Sequence, residues 1–260
     1  MPYGQKKCEV SFVNQSKSDK IAALRDIINA SDNIVFFGGA GVSTESNIPD
    51  FRSAGGLYSE KGRGRFTPEE MLSHTFFMRY TEDFFEYYKT KLVHREAKPN
   101  NAHLVLAKLE QMGKLKAVIT QNVDGLHQKA GSREVLELHG SVYRNYCMRC
   151  GKFFDLDYVM DSPGVPKCDS CGGIVKPDVV LYEEGLDMNV INKSIRYISN
   201  AEVLIVAGTS LMVYPAAGLI RYFSGKHMVL INKSSTPYDS MADLVINESI
   251  GETLKAACLG

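Results

Sequence analysis

The stretch Ile34-Val35-Phe36-Phe37-Gly38-Gly39-Ala40-Gly41-Val42-Ser43-Thr44 joins a short apolar run to a glycine-rich loop. A continuous apolar run is typical of a strand that is buried on both faces of a parallel sheet. Glycines directly after such a strand let the backbone approach a diphosphate, and a helix that begins there directs free N–H groups at the charge. The same residues also suit an ordinary tight turn, so the loop alone leaves both interpretations open.

Further segments extend this pattern along the chain. Apolar runs of the same kind occur at 117–119, 203–207 and 228–231. Helical spacing is found at 18–31, 101–112, 188–199 and 215–223. Ser18 is the predicted N-cap of the first helix. Strands that alternate with helices predict an α/β fold with a doubly wound, Rossmann-like parallel sheet.

Polar or glycine clusters follow the predicted strands. They are Gly38–Thr44, Thr120–Gly125, His139–Ser141, Gly208–Ser210 and Asn232-Lys233. Ligands of such sheets bind beyond the carboxyl ends of the strands, so the clusters predict one site at one edge. Thr44 replaces the third glycine of the dehydrogenase fingerprint, and no Asp or Glu ends a second predicted strand about twenty residues further on, where it would bind the adenosine ribose. Both departures argue against hydride transfer.

Two segments interrupt the alternation of strands and helices. Residues 54–96 are aromatic-rich and predict helices, one of which opens with a capping box at Thr67–Glu70. Residues 143–177 carry four cysteines. We interpret both as insertions that form a smaller lobe, while 18–53, 97–142 and 178–260 form the Rossmann-like domain.

The four cysteines are spaced as C-x₂-C, seventeen residues, then C-x₂-C: Cys147, Cys150, Cys168 and Cys171. Thiolates at this spacing form a closed tetrahedral zinc site in which no position is left for water. We therefore expect one structural Zn²⁺ that holds a loop-rich segment together. A pair of disulfides is the alternative, although paired C-x-x-C units in a cytoplasmic protein usually bind metal.

Charge and hydropathy restrict the class of protein. Thirty basic and thirty acidic residues cancel, which argues against general nucleic-acid binding and against membrane-surface binding. No apolar run approaches the roughly 18 residues needed to cross a bilayer. The first twenty residues contain no apolar core of a signal peptide, so we expect a cytoplasmic protein.

Two further features are candidates for chemistry. The alternating segment Val135–Leu138 is a further predicted strand, and His139 follows it directly. Because His139 also lies among the polar clusters, it is a candidate general base. The other five histidines we interpret as structural. Asp50-Phe51-Arg52, after Pro49, presents an acid, an aromatic ring and a guanidinium together, although an ordinary buried anchor would look the same.

These motifs, in this order, resemble the sirtuins, a family of NAD⁺-dependent protein deacylases. The matching stretches are Gly39–Ser43, Ile48–Arg52, Thr120–His127, Leu138–Gly140, the four cysteines, Gly208–Leu211, Val213–Ala216 and Ile231-Asn232. The chain is most similar to the compact microbial sirtuins, so residues 1–260 are interpreted as a single catalytic core.

The resemblance implies that the protein transfers acetyl groups from lysine side chains of other proteins to ADP-ribose, with release of nicotinamide. It implies His139 as the general base and Asn122 as a second catalytic residue. It implies NAD⁺ contacts at Ala40, Thr44, Asp50, Phe51, Arg52, Gln121, Asn122, Val123, Asp124, His139, Gly208, Thr209, Ser210, Asn232 and Ile250. Substrate backbone is expected to pair beside Val179, Val180 and Tyr182, in a β-augmentation that reads little sequence.

Some residues depart from the pattern of the family. Asn47 stands where glycine is usual, Gly38 where threonine is common, and Tyr182-Glu183-Glu184 where Phe-Gly-Glu is usual. Sirtuins that prefer acidic acyl groups carry a tyrosine and, three residues later, an arginine. Counting back from Lys98-Pro99-Asn100 aligns this pair with Tyr87 and Thr90, which predicts a preference for uncharged acyl groups.

Three other functions remain open from the sequence. A sirtuin-like mono-ADP-ribosyltransferase would use the same cleavage with a different acceptor. A non-enzymatic zinc-ribbon protein that binds nucleic acid is disfavoured by the neutral charge. A dehydrogenase is disfavoured by the imperfect fingerprint.

Overall fold

The computed structural model describes residues 16–51, 53, 55–57 and 66–259. Its main element is a six-stranded sheet in which every neighbouring pair is parallel. The predicted α/β fold with a Rossmann-like parallel sheet is confirmed. The strands of this sheet are β1 (Ile34–Gly38), β2 (Leu115–Thr120), β3 (Val135–Glu137), β7 (Val203–Ala207), β8 (His227–Ile231) and β9 (Leu244–Ile246).

The order of the strands explains where a ligand can bind. Across the sheet the strands run β3-β2-β1-β7-β8-β9, so the chain starts in the middle, fills one side and then the other. The order reverses between β1 and β7, where the loops leave in opposite directions and open a crevice. The glycine-rich loop follows β1, and Gly208–Ser210 follow β7, so both lie at this crevice.

Helices cover both faces of the sheet. One face packs against α1 (Lys17–Asn29), α5 (Asn101–Gln111) and α9 (Ile250–Leu259). The other packs against α8 (Met188–Asn200) and a 3₁₀ helix, Ala216–Tyr222. Because both faces are covered, β1, β7 and most of β8 are fully buried, which is why their sequences are continuously apolar.

Two details of the helices differ from the sequence prediction. The N-cap of α1 is Ser16 and not Ser18, because Ser16 and Asp19 form a reciprocal capping box around the first turn. The segment predicted as a helix over 215–223 is the 3₁₀ helix of the second face. The capping box of Thr67 and Glu70 is confirmed.

The smaller lobe combines helices with an antiparallel sheet of order β5-β4-β6. Its elements are α2 (Pro68–Met71), α3 (His74–Arg79), α4 (Thr81–Tyr87), a π-helical turn (Tyr88–Leu92), β4 (Gly140–Cys147), β5 (Phe153–Phe154), α7 (Leu156–Asp161) and β6 (Val175–Val179). The short helix α6 (Leu126–Ala130) belongs to the larger domain. Phe77, Phe84 and Phe85 from the helices share one hydrophobic cluster with Cys147, at the end of β4, and Cys168, in the loop before β6, so the two insertions have a common core.

Among the described residues, no helix combines the length and the apolar character needed to cross a membrane.

Candidate active site

The loops after β1 and β7 pack against each other with almost no space between their backbones. Gly41 donates its N–H to the carbonyl of Gly208 (2.8 Å), and a Cβ on Gly41 would lie 2.7 Å from the Cα of Gly208. Gly208 itself has φ +60°, and a Cβ there would lie 2.4 Å from the nitrogen of Val42. Glycine is required at both positions, and the floor of the crevice is therefore bare backbone, as a diphosphate needs.

A hydrogen-bonded trio lies beside this floor. Ser43 Oγ donates to Asp124 Oδ2 (2.6 Å) and accepts from Asn122 Nδ2 (3.0 Å). The other carboxylate oxygen of Asp124 accepts from the backbone N–H of Leu126 (2.9 Å), at the start of α6. The trio joins the loop after β1 to the loop after β2 and fixes the orientation of an amide and a carboxylate.

Polar groups from three strands meet near the trio. Gln121 donates its backbone N–H to Gly38 and its side-chain amide to Thr209 Oγ1 (3.3 Å). Thr209 is buried and also accepts from the N–H of Leu211, while Ser210 beside it is half-buried. The sheet order thus brings Gln121, Asn122, Asp124, Thr209 and the glycine loop to one edge.

His139 is held against the same edge by its ring and its backbone. Nδ1 lies 3.0 Å from the carbonyl oxygen of Gln121, and the carbonyl of His139 accepts from the N–H of Val180 (3.0 Å). Because a carbonyl only accepts, Nδ1 carries the proton and Nε2 keeps its lone pair when the ring is neutral. Burial lowers the pKa of His139, against a raising contribution from the bond to Gln121.

Gly140 explains why the chain can turn directly after His139. Its φ is +77°, and a Cβ would lie 1.8 Å from the carbonyl oxygen of Asp178 on β6. The chain that follows His139 therefore passes into the small lobe as β4, in contact with the segment predicted to bind substrate.

The rest of the loop after β1 lies at the mouth of the crevice. Ala40 is half-buried, and Thr44 Oγ1 donates to the carbonyl of Gly41 (2.9 Å). Asp50 Oδ1 accepts from the N–H of Ser53 (2.9 Å), and Phe51 is half-buried against the core of the small lobe. Arg52 lies outside the described residues.

Asn47 explains one departure from the family. It has φ +61°, a left-handed conformation that asparagine adopts more readily than most residues, so it can replace glycine here.

The surroundings of Asn232 and Ile250, two of the predicted NAD⁺ contacts, differ from those of the residues around the trio. Asn232 directly follows β8 and donates its side-chain amide to the carbonyl of Ser234 (2.7 Å). Ile250 begins α9, is 4% exposed and approaches Gly208, where its methyl would lie 2.8 Å from an added Cβ. Ile250 is part of the core, and only its edge beside Gly208 borders the crevice.

The predicted substrate segment is already hydrogen-bonded within the chain. Val179 pairs with Gly140, Val180 donates to His139, and Tyr182 exchanges bonds with Leu72 and His74. Glu183 has φ +75° in place of the usual glycine, and its carboxylate accepts from the N–H and hydroxyl of Thr75 (2.9 and 2.7 Å). Those two bonds offset the strain of a left-handed glutamate.

Two buried histidines lie behind the trio. The rings of His103 and His127 are 4.7 Å apart between centroids, and both residues are at most 1% exposed. Burial lowers the pKa of His103 to about 4, against a raising contribution from Asp124, and burial lowers the pKa of His127 well below its ordinary value. Asn100 donates its N–H to His103 Nδ1 (3.3 Å), as a neutral ring allows.

This pair predicts an acid-sensitive fold. Between pH 6.5 and about 4 the unfolded chain binds a proton at His103 that the folded chain does not, so stability falls as the pH falls. For His103 alone we expect the free energy of unfolding to drop by about 2 kcal/mol from pH 7 to pH 5. Urea titrations at both pH values measure this, and H103Q should lose less over the same interval. An equal loss in both proteins would contradict the assignment.

The four predicted zinc ligands come together in the small lobe. Their Sγ atoms all lie within 4.8 Å of one another, with Cys147 and Cys171 3.4 Å apart and Cys150 and Cys168 3.6 Å apart. Tetrahedral Zn–S bonds of about 2.3 Å place sulfurs about 3.8 Å apart, so the cluster fits one Zn²⁺. All four positions are protein thiolates, which makes the metal structural.

Sequence reasoning missed two residues that organise the site. Ser43 belongs to the predicted glycine-rich loop, and nothing in the sequence indicates that its hydroxyl joins Asp124 to Asn122. Asn100 donates to the carbonyl of Val42 (2.8 Å) and to Ser46 Oγ (3.0 Å), which ties the loop after β1 to the cap of α5. The position of Asn100 immediately before a predicted helix indicates a helix cap. It does not indicate that the side chain also anchors the loop after β1.

Comparisons with known proteins agree with this geometry. The model of the Sir2 family matches residues 39–215. A protein of Clostridium acetobutylicum named NAD-dependent protein deacetylase is 65% identical over 238 residues, which cover 91% of this chain and 97% of the relative.

Two solved structures match the fold as well. The chain is similar to a Sir2 structure with a p53 peptide and NAD⁺ (TM-score 0.78, 39% identity, 90% of this chain and 95% of the other). It is also similar to a Sir2Tm structure bound to a propionylated peptide (TM-score 0.80, 39% identity, 91% and 96%).

Proposed function

Because the chain belongs to the Sir2 family, we propose that His139 is the general base of its reaction and that Asn122 and Asp124 hold the nicotinamide. The chain is an NAD-dependent protein deacetylase. The observation that supports these roles is the trio of Ser43, Asp124 and Asn122, which lies beside Gln121, the residue whose carbonyl orients His139.

The bare-backbone floor at the topological switch point fits the diphosphate of NAD⁺. We assign the remaining contacts by position. Diphosphate and ribose contacts are Ala40, Thr44, Asp50, Arg52, Gln121, Gly208, Thr209, Ser210 and Asn232, with Ile250 beside the adenine and Phe51 and Val123 beside the nicotinamide. NAD⁺, when bound, supplies a ribose carbon that becomes electrophilic as nicotinamide leaves.

The proposed active-site residues have different tasks in the reaction. Asn122 and Asp124 grip the carboxamide of nicotinamide and favour its departure. The side chain of Phe51 shields the exposed ribose carbon from water, which would otherwise hydrolyse it. The acetyl oxygen of the substrate amide would bond to the ribose carbon as nicotinamide leaves. Nε2 of His139 would then take a proton from a neighbouring ribose hydroxyl, whose oxygen would bond to the acetyl carbon. The bond from the acetyl carbon to the lysine nitrogen would break, lysine would leave as the amine, and water would complete the acetyl ester of ADP-ribose. The lowered pKa keeps the ring neutral and ready to accept that proton.

The partners follow from the same chemistry. Acetylated lysines in protein substrates are the acyl donors, and we assign Val179, Val180 and Tyr182 to the contact with the substrate backbone. We expect no direct binding to nucleic acids, because the net charge of the chain is zero. We also assign the protein to the cytoplasm, because cysteines there remain reduced, so that the four clustered thiols can bind zinc.

One incubation tests the function. The protein, an acetyl-lysine peptide and NAD⁺ should release free nicotinamide together with deacetylated peptide and acetylated ADP-ribose, in equal amounts. Label transferred from NAD⁺ onto protein, without peptide deacetylation, would contradict the proposal and favour mono-ADP-ribosyl transfer.

The acyl preference requires a correction to the sequence alignment. Thr90, the position aligned with the arginine of acid-preferring sirtuins, is exposed and donates to the carbonyl of Glu86. The inward-facing pair of the same spacing is Phe85 and Tyr88, both fully buried. Lys89 donates to Ser162 and Gly164, and Arg95 pairs with Asp157, so both cations bind the zinc-binding segment.

We therefore expect acetyl-lysine to be turned over at least tenfold faster than succinyl-lysine in the same peptide. A succinyl carboxylate buried beside Phe85 and Tyr88 would find neither Lys89 nor Arg95 as its cationic partner, at a cost of several kcal/mol. A propionyl version is the control, because it adds length without charge, and a similar Sir2 structure binds a propionylated peptide. Succinyl turnover equal to acetyl turnover would show that a cation does reach the pocket.

A further inference from the structure

A three-residue bulge in β4 connects the active-site loops to the substrate segment. β4 pairs with β6 at Gly140–Val179 and Ser141–Asp178, and the next pair is Asn145–Pro177. Residues 142–144 therefore have no backbone pairing partner on β6. Bulges redirect side chains and are common beside active sites.

The first two residues of the bulge support the loop that carries Asn122 and Asp124. Val142 donates its N–H to the carbonyl of Val123 (3.0 Å). The ring of Tyr143 packs on Gly125, where a Cβ would lie 2.7 Å from the ring, and Gly125 has φ +67°. The loop after β2 is thus fixed from the side of the small lobe.

The third residue, Arg144, reaches in two directions. Its Nε donates to Asp178 Oδ2 (2.7 Å) and its Nη1 donates to Glu137 Oε2 (2.6 Å). Glu137 ends β3, two residues before His139, and its side chain is only 8% exposed. Asp178 directly precedes Val179 on β6. A rigid planar guanidinium can hold two carboxylates at a fixed separation, which a flexible ammonium does less well.

We infer that Arg144 is a positioning residue that fixes the spacing between the turn after β3, which carries His139, and the segment Val179–Tyr182. This role rests on the proposed function, since it concerns the distance from the base to the bound acyl-lysine. The direct link from Val180 N–H to the His139 carbonyl aligns the backbones, and Arg144 adds a second connection through side chains.

Asp178→Asn is the variant that tests the inference most directly. It keeps the size of the side chain and leaves the Arg144–Glu137 pair intact, so the buried carboxylate of Glu137 keeps its cation. Arg144→Met alone would leave that carboxylate unpaired and is expected to destabilise the fold. The double variant Arg144→Met with Glu137→Gln removes both charges and serves as the second test.

The informative readout is the ratio of two rates measured with an acetyl peptide. One is exchange of labelled nicotinamide into NAD⁺, which needs cleavage but not the base, and the other is deacetylation, which needs the base. Misplacing His139 relative to the acyl group slows only the second. We expect D178N to raise the exchange-to-deacetylation ratio roughly three- to tenfold, the scale of one half-exposed charge-assisted hydrogen bond. A variant that is merely less stable would lower both rates equally.

The matched control is Asp157→Asn, which neutralises an aspartate on α7 that pairs with Arg95 in the same lobe, away from the turn that carries His139. The inference requires an unchanged ratio in D157N and an unchanged KM for NAD⁺ in both variants. If the wild type is active and D178N has the same exchange-to-deacetylation ratio as the wild type, the role of Arg144 is overturned. The role is also overturned if D157N changes this ratio as much as D178N does. A wild type that releases no nicotinamide overturns the proposed function itself.

Discussion

Replacing His139 with alanine is expected to lower kcat for deacetylation by roughly 10²–10⁴-fold, the usual contribution of a general base. The side chain lies at the edge of the crevice and is oriented by the carbonyl of Gln121. The glycine floor and the Ser43 trio are independent of the imidazole, so NAD⁺ affinity should change only a few-fold. Steady-state kinetics with an acetyl peptide and a separate NAD⁺ titration measure both quantities.

The pH dependence provides a second measurement on the same residue. Because burial lowers the pKa of His139, the neutral ring should persist below pH 6.5. We expect kcat to stay level from pH 8 through 6.5 and to fall only at lower pH. His227→Ala is the control, since His227 is exposed at the opposite end of β8. H139A activity within tenfold of the wild type would refute the assignment.

Removal of zinc is expected to unfold the small lobe and abolish turnover. Cys147 and Cys168 are at most 3% exposed, and they belong to the same hydrophobic cluster as the phenylalanines of the helical insertion. Without the metal, four thiols replace a closed site whose formation stabilises the fold. Chelation or Cys168→Ala should therefore eliminate the cooperative unfolding of this lobe, which near-UV circular dichroism detects through its tyrosines.

Cobalt substitution separates a structural metal from a catalytic one. Since all four ligands are protein thiolates, the cobalt protein should keep a similar kcat and the same pH profile. The control is Cys258→Ala. Because Cys258 lies on α9, outside the cysteine cluster, this variant should keep the folding and the zinc content of the wild type. A pH profile that shifts with the identity of the metal would indicate that the metal takes part in the chemistry.

The large sheet was predictable because its strands are buried on both faces. Ile34–Phe37, Val203–Ala207 and Met228–Ile231 are continuously apolar for that reason. Strand β9 was not predicted, since three residues at an edge give too short a signal. The small sheet was also hidden, because Tyr146 and Phe153 are exposed while Asn145 is buried, so no alternation of hydrophobicity marks its strands.

The site was predictable as a set of strand ends but not as a network of bonds. Strand order alone places Gln121, Thr209 and the glycine loop at one edge. The partnership of Ser43 with Asp124, and that of Arg144 with Glu137 and Asp178, depends on side-chain directions. A bulge reverses the expected alternation of such directions, and nothing in the spacing of residues 142–144 marks its position.

The central position of β1 also determines when activity can arise during biosynthesis. Ile34 pairs with Val203, and the glycine loop is closed by Gly208 and then by Ile250 on the last helix. The contacts of the small sheet, between β4 and β6, are much closer together in the chain. Contacts between distant residues form last because their loop-closure entropy is largest. On the ribosome, the zinc-binding sheet can therefore assemble first, and a nascent chain acquires its cofactor crevice only once the residues through Ile250 have been translated.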